Sequence, residues 1–182
     1  MEKYGALADG IRVLDVGCGN GFFTYHLPSD VWPVGLDFSR LMLQINPNTR
    51  SVQGSVRALP FGTGCFDTVF CSNLLHHLPN PQSAVDEMKR ITSRYVVLSE
   101  PNRNNPAMFA FGLAKPEERW SLRFTPGYLR KLAEKAALDV KFCAALGMIV
   151  PNKVAPAMLP FLKYFDGIHP LGAYILMIAE SC

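Results

Sequence analysis

The apolar residues of this chain fall into two kinds of run that take turns along it. Runs of strand length alternate with runs in which apolar residues recur at helical spacing. Residues 11–16 read as a strand ended by a glycine turn, and 22–27 open a helix stopped near Pro28. Residues 31–37 read as a second strand, with Pro33 marking its beginning. Ser39 caps a helix that places Leu41, Met42 and Ile45 on one face and ends at Asn46-Pro47. Residues 51–54, 66–72 and 95–99 read as the third, fourth and fifth strands. Between the last two lies a helix over 83–91, with Val85, Met88 and Ile91 at helical spacing. Thr125 caps a helix that starts at Pro126 and turns Tyr128, Leu129, Leu132 and Ala136 inward. Residues 140–150 and 172–179 complete the pattern as two strands.

Strands that alternate with helices imply a parallel sheet covered on both faces. The expected fold is an α/β three-layer sandwich with a seven-stranded, mostly parallel sheet. No helical period separates the last two strands, so the last is expected to run antiparallel. The whole chain, 1–182, is expected to form one domain. Two stretches, 101–124 and 151–170, break the alternation. Both are rich in proline and aromatics and read as inserted loops, too apolar for disorder.

Composition narrows the class. Of 182 residues, 49% are apolar, enough for a substantial core. Eighteen basic residues face fifteen acidic ones, a net charge of +3 with no like-charge run, which gives no footprint for nucleic acid. No stretch reaches the roughly 18 apolar residues of a membrane span. Residues 1–10 lack a signal-peptide core, so no integral membrane association and a cytoplasmic location are expected. The cysteines, Cys18, Cys65, Cys71, Cys143 and Cys182, are scattered and form no Cys-x-x-Cys pair, so neither a disulfide framework nor a bound metal is expected.

The chemistry starts at the first turn, Asp15-Val16-Gly17-Cys18-Gly19-Asn20-Gly21. Glycines there let a ligand approach the backbone, and the helix behind them aims its N–H groups at an anion. A dinucleotide fingerprint needs glycine at positions one, three and six, and the sixth is Phe22. No P-loop lysine is present. A carboxylate at Asp15 suits a ligand with an amino group and repels a pyrophosphate. About 20 residues on, where an acidic side chain at the second strand's end grips ribose hydroxyls, stands Asp37. Phe38 and Met42 lie within reach of a base.

These segments resemble the class I S-adenosylmethionine-dependent methyltransferases. Residues 13–24 are similar to that family's first motif and Gly35-Leu36-Asp37-Phe38-Ser39 to its second. Ala58-Leu59-Pro60-Phe61, then Phe66-Asp67-Thr68-Val69 and Asn73-Leu74-Leu75-His76-His77-Leu78, resemble the small-molecule, type 11 branch. The resemblance covers roughly 11–101 and implies a Rossmann-like methyltransferase fold, with S-adenosyl-L-methionine as cofactor. It implies that Asp15 and the backbone at Gly17, Cys18 and Gly19 hold the methionine part, with Gly21 also among the cofactor-binding residues. Asp37 would take the ribose, and Phe38 and Met42 border the adenine. Ser55 and Val56 would read the adenine edge, and Asn73 and Leu74 would line the floor near the sulfonium.

The acceptor is expected to be a small molecule, apolar or lipid-like, under a roof made by 101–124 and 151–170. His77 and His76 are candidate bases for removing an acceptor proton, with Glu100 competing. Arg103, Arg119 and Arg123 could grip an anionic acceptor group. Two departures from the family stand out. Serine replaces the usual acidic residue at Ser55, and 1–10 leave little room for the helix that ordinarily precedes the first strand. That side is expected to be covered by 101–124, by a second copy in a homodimer or by a partner chain, or else to be open. Two other readings remain: a non-catalytic S-adenosylmethionine-binding or partner subunit with the same fold, and a NAD-dependent oxidoreductase.

Overall fold

A computed structural model describes residues 5–7, 10–27, 31–147 and 167–181. Seven strands form one sheet: β1 (Arg12–Val16), β2 (Trp32–Asp37), β3 (Ser51–Gln53), β4 (Phe66–Ser72), β5 (Thr92–Pro101), β6 (Leu138–Leu146) and β7 (Tyr174–Ser181). Their order is β3-β2-β1-β4-β5-β7-β6. The pairs from β3 to β5 are parallel, and β7 runs antiparallel to both β5 and β6. The expected mostly parallel sheet with an antiparallel last strand is therefore present.

Alternation along the strands makes two cores. Leu14 and Val16, Val69 and Cys71, Val96 and Leu98, and Ile175 and Met177 all point to one face. Helices α3 (Gln82–Ile91) and α5 (Pro126–Lys135) pack their buried sides into that core through Val85, Met88 and Ile91 and through Leu129, Leu132 and Ala133. Full burial of each such side chain contributes roughly 1.5–3 kcal/mol. Val13, Phe70, Val97 and Ile178 point the other way, into a smaller core with Ala6 and Val31. Helix α1 (Phe22–Tyr25) lies on that side, with the Phe23 ring 5.8 Å from Phe70.

One expectation changes. Stretch 101–124 is helical rather than a loop: α4 (Pro106–Ala114) is followed by a 3-10 helix over Pro116–Arg123. Asn105 starts α4, its side chain accepting from the Ala107 and Met108 amides at 3.0 Å, with Pro106 at the first helical position. Helix α2 (Arg40–Ile45) begins at the Ser39 cap as expected but buries no residue. Its apolar Leu41 and Ile45 are exposed. Residues 148–150, the expected end of the sixth strand, and 151–166 of the second stretch lie outside the described residues.

The chain leaves β1 towards β2 on one side and returns to β4 on the other. That is the point where strand order reverses, and ligands of open α/β sheets bind beyond the strand ends there. Val16 pairs with Cys71, so the glycine turn after β1 and the turn after β4 emerge side by side.

Candidate functional site

The turn after β1 is held in left-handed conformations that only glycine adopts without strain, with φ of 75°, 51° and 83° at Gly17, Gly19 and Gly21. Its amides are engaged within the protein. Gly17 and Cys18 both donate to the Leu36 carbonyl, at 2.7 and 3.1 Å. Gly19 donates to Asp37 Oδ2 at 2.9 Å, and Gly21 to the Cys18 carbonyl at 2.8 Å. The amides of Gly17, Cys18, Gly19 and Gly21 are therefore engaged before any ligand arrives. What the turn presents is oxygen.

Close packing fixes this conformation. A Cβ on Gly17 would stand 2.8 Å from Leu74 Cδ2, which joins the first turn to the turn after β4. A Cβ on Gly35 would stand 2.7 Å from Cys18 Sγ. Burial and the charges of Asp15 and Asp37 push that Cys18 thiol up to about 12, so it packs as a small apolar group. A Cβ on Gly21 would fall on the Asn46 amide, whose Nδ2 donates to the Gly19 carbonyl at 3.1 Å. Gly21→Ala is thus expected to destabilise the fold by about 1–2 kcal/mol from backbone strain alone. In a thermal melt that lowers Tm by about 2–4 °C per kcal/mol. Gly62→Ala, where a Cβ meets nothing, should leave Tm unchanged.

Two carboxylates flank the turn. Asp15 is buried at the end of β1, and its Oδ2 accepts from Thr24 Oγ1 at 2.5 Å. Burial raises its pKa to about 6, with Thr24 opposing and Asp37 adding to the rise. Asp37, at the end of β2, takes the Gly19 amide on one oxygen and the Ser39 amide on the other, the latter at 2.7 Å. It ties the glycine turn to the cap of α2. Phe38 is 80% exposed beside it, and Met42 is partly exposed on the first turn of α2. Neither belongs to the core, so both are available to a ligand.

Ser55 and Val56 behave differently. Val56 is buried in the main core, and Ser55 Oγ accepts from the Arg57 amide at 3.2 Å. Ser55 is partly exposed and bridges to Ala58.

The turn after β4 carries a second cluster. Asn73 has a positive φ of 53°, and its amide donates to the Ser99 carbonyl at 2.9 Å. A 3-10 turn over Leu75–His77 follows. Glu100, 0% exposed at the end of β5, organises it. Its Oε1 accepts from the Leu74 and Leu75 amides at 3.1 and 2.8 Å, and its Oε2 stands 2.6 Å from His76 Nδ1. On the opposite edge of that ring, Nε2 lies 3.2 Å from Glu118 Oε2, on the 3-10 helix after α4. The His77 ring stacks obliquely on His76, centroids 4.0 Å apart. Burial and His76 push His77 below its usual range, against the pull of Glu118, Glu100 and the Glu117 carbonyl. Next to both histidines lies a cavity of about 170 Å3 lined by Asn73, Met108, Phe111 and Tyr174.

Of the residues expected to form the site, Asp15, Gly17, Cys18, Gly19, Gly21 and Asp37 are brought together, with Leu74 against Gly17 and Asn73 beside the histidines. Arg103 and Arg123 are engaged with the Leu122 and Pro79 carbonyls, and Arg119 is exposed. Thr24, Asn46 and Glu118 were not anticipated. Asn46 had a signal, its place just before Pro47, but that reads equally well as a plain helix stop.

Comparisons with known proteins agree with this geometry. The methyltransferase domain family of type 11 matches residues 14–97. The chain is 35% identical over 104 residues to a demethylmenaquinone methyltransferase of Lactococcus lactis subsp. lactis, covering 50% of this chain and 41% of that one. It is 33% identical over 150 residues to an uncharacterized methyltransferase of Synechocystis sp., covering 74% and 70%. The chain thus spans about two fifths of the first relative's length and about two thirds of the second's. Among solved structures, a SAM-dependent methyltransferase from Thermotoga maritima superposes with a TM-score of 0.78 at 16% identity, covering 100% of this chain and 87% of that one. With the shared fold, the glycine turn and the two carboxylates in place, the chain belongs to the class I S-adenosylmethionine-dependent methyltransferases, in the type 11 branch.

Proposed function

We propose that the chain transfers a methyl group from S-adenosylmethionine to an apolar small molecule. The observation that carries this reading is the pair Asp15 and Asp37 on either side of a glycine turn whose own amides are engaged. Such a site attracts an ammonium group and hydroxyls, which the cofactor has. Its two carboxylates repel a pyrophosphate, and the glycine amides of the turn are engaged within the protein, which argues against a nicotinamide dinucleotide. The cofactor supplies an activated methyl group on a good leaving group.

The protein's residues position. Asp15 would hold the ammonium of the methionine part and Asp37 the ribose, with Phe38 and Met42 beside the adenine. Asn73 and Leu74 lie between the glycine turn and the cavity that would take the acceptor. Holding acceptor and methyl in line is worth about 7–11 kcal/mol of barrier. Support for an apolar acceptor comes from Met108 and Phe111 of α4 over that cavity, and from the Lactococcus lactis relative, whose name gives a demethylmenaquinone as its substrate. His77 borders that cavity beside His76, and burial lowers its pKa.

The test is incubation with methyl-labelled S-adenosylmethionine and a fractionated cell extract. Label should appear in solvent-extractable small molecules. Label confined to protein or RNA would overturn the acceptor class. No transfer to any fraction, with cofactor bound, would favour the non-catalytic subunit.

A further inference from the structure

The turn after β4 holds an arrangement that methyl transfer by positioning alone does not require. Three groups from two parts of the chain converge beside the cavity: the rings of His76 and His77 and the carboxylate of Glu118. One ligand atom from each lies within 4.8 Å of the others. His76 is nearly wholly buried and its two nitrogens have distinct surroundings. Glu100 Oε2 stands 2.6 Å from Nδ1, and in the tautomer with its proton on Nδ1 the ring carries a lone pair on Nε2. In that tautomer Nε2 and Glu118 Oε2, 3.2 Å apart, are both acceptors, which a cation between them would satisfy. The second imidazole stacks 4.0 Å away.

We propose that His76 Nε2, a ring nitrogen of His77 and the Glu118 carboxylate bind one divalent cation, of zinc type. Two imidazoles and one carboxylate match the ligand preference of that ion. Bonds of roughly 2.1 Å in tetrahedral geometry place ligand atoms about 3.4 Å apart, close to the His76–Glu118 separation already present. Glu100 plays the outer part that fixes tautomer and ring direction in such sites, at no solvent exposure. Three protein ligands leave a fourth position open, and the cavity with Asn73, Phe111 and Tyr174 adjoins the cluster. A hydroxyl or carbonyl oxygen of an acceptor is the ligand chemistry that position takes. A bound hydroxyl would have its pKa lowered there. The cation site stands on its own residues, but its use in orienting an oxygen-bearing acceptor rests on the methyltransferase reading. The expectation of no metal, drawn from the cysteines, did not weigh this histidine pair.

The test is titration of the tag-free, chelator-treated protein with Co2+, read by its visible absorption, with Zn2+ as competitor. One equivalent should bind, give the intense bands of a low-coordinate site, and be displaced by Zn2+. Glu118→Gln and His77→Gln should abolish the bands. Glu100→Gln keeps an oxygen for the Leu74 and Leu75 amides but offers an NH2 to His76 Nδ1, which moves the ring proton to Nε2. It should weaken Co2+ about 10- to 100-fold. Circular dichroism and S-adenosylhomocysteine affinity report separately on folding and on the cofactor site. Absence of stoichiometric binding, or bands unchanged in folded Glu118→Gln and His77→Gln, overturns the cation site. Metal binding without S-adenosylhomocysteine binding sinks the methyltransferase reading instead.

Discussion

Asp15→Asn is expected to make the ligand-free protein more stable at neutral pH while weakening its hold on S-adenosylhomocysteine. Burial raises the Asp15 carboxyl from 3.8 to about 6, so folding favours its protonated form. The sign follows directly. The stability that the neutral carboxyl contributes is fully present below pH 3.8 and is lost as pH rises through about 6. At 1.36 kcal/mol per pH unit, the charged form costs about 3 kcal/mol above that pH. Asparagine carries no charge and still offers an oxygen to Thr24 Oγ1. Urea unfolding of the two proteins should therefore agree near pH 4 and diverge, to at most about 3 kcal/mol in favour of Asn, by pH 7.5. The cofactor's ammonium needs the charge. Wild-type affinity for S-adenosylhomocysteine should rise as pH passes through about 6, and the variant should show a lower affinity without that rise. Equal stability of the two proteins at pH 7.5 would mean that Asp15 carries no buried charge.

Glu100→Ala should be the most damaging single change in the site region. It removes the acceptor for the Leu74 and Leu75 amides and the partner of His76 Nδ1 in one step. Taking one partner from a buried charged network costs about 3–5 kcal/mol, and each orphaned buried amide adds to that. Equilibrium unfolding should show the loss directly, and Glu100→Gln should recover most of it. A loss below about 1 kcal/mol for Glu100→Ala would mean that the turn over 73–77 is held by packing alone.

The succession of strands along the chain and the glycine turn were legible in the sequence, because a buried parallel strand is a short apolar run and its exit into a helix needs glycine. Helix α3 was legible for the same kind of reason: Val85, Met88 and Ile91 mark a single buried face. Helix α4 was hidden because Met108, Phe109, Phe111 and Leu113 surround it with apolar residues and leave no period to detect. Its one clear signal was the Asn105-Pro106 start, an asparagine cap before a proline. Periodicity misled at α2, since Leu41, Met42 and Ile45 do share a helical face, yet nothing in the chain's spacing says whether that face meets a core. The site divided similarly. Asp15 and Asp37 could be named because each ends a strand. The partners Thr24, Asn46 and Glu118 could not, because their contacts depend on how separate elements fold back on one another. Glu100, His76 and Glu118 come from β5, the turn after β4 and the helix after α4.

The most direct test of the central claim is calorimetric titration of the wild-type protein and Asp37→Ala with S-adenosylhomocysteine, alongside NAD. The account predicts one equivalent of S-adenosylhomocysteine bound by the wild type and no binding of NAD. In a folded Asp37→Ala the affinity should fall by about 1.5–3 kcal/mol, or roughly 10- to 150-fold. Tight binding of NAD with none of S-adenosylhomocysteine, or an unchanged affinity in folded Asp37→Ala, would contradict it.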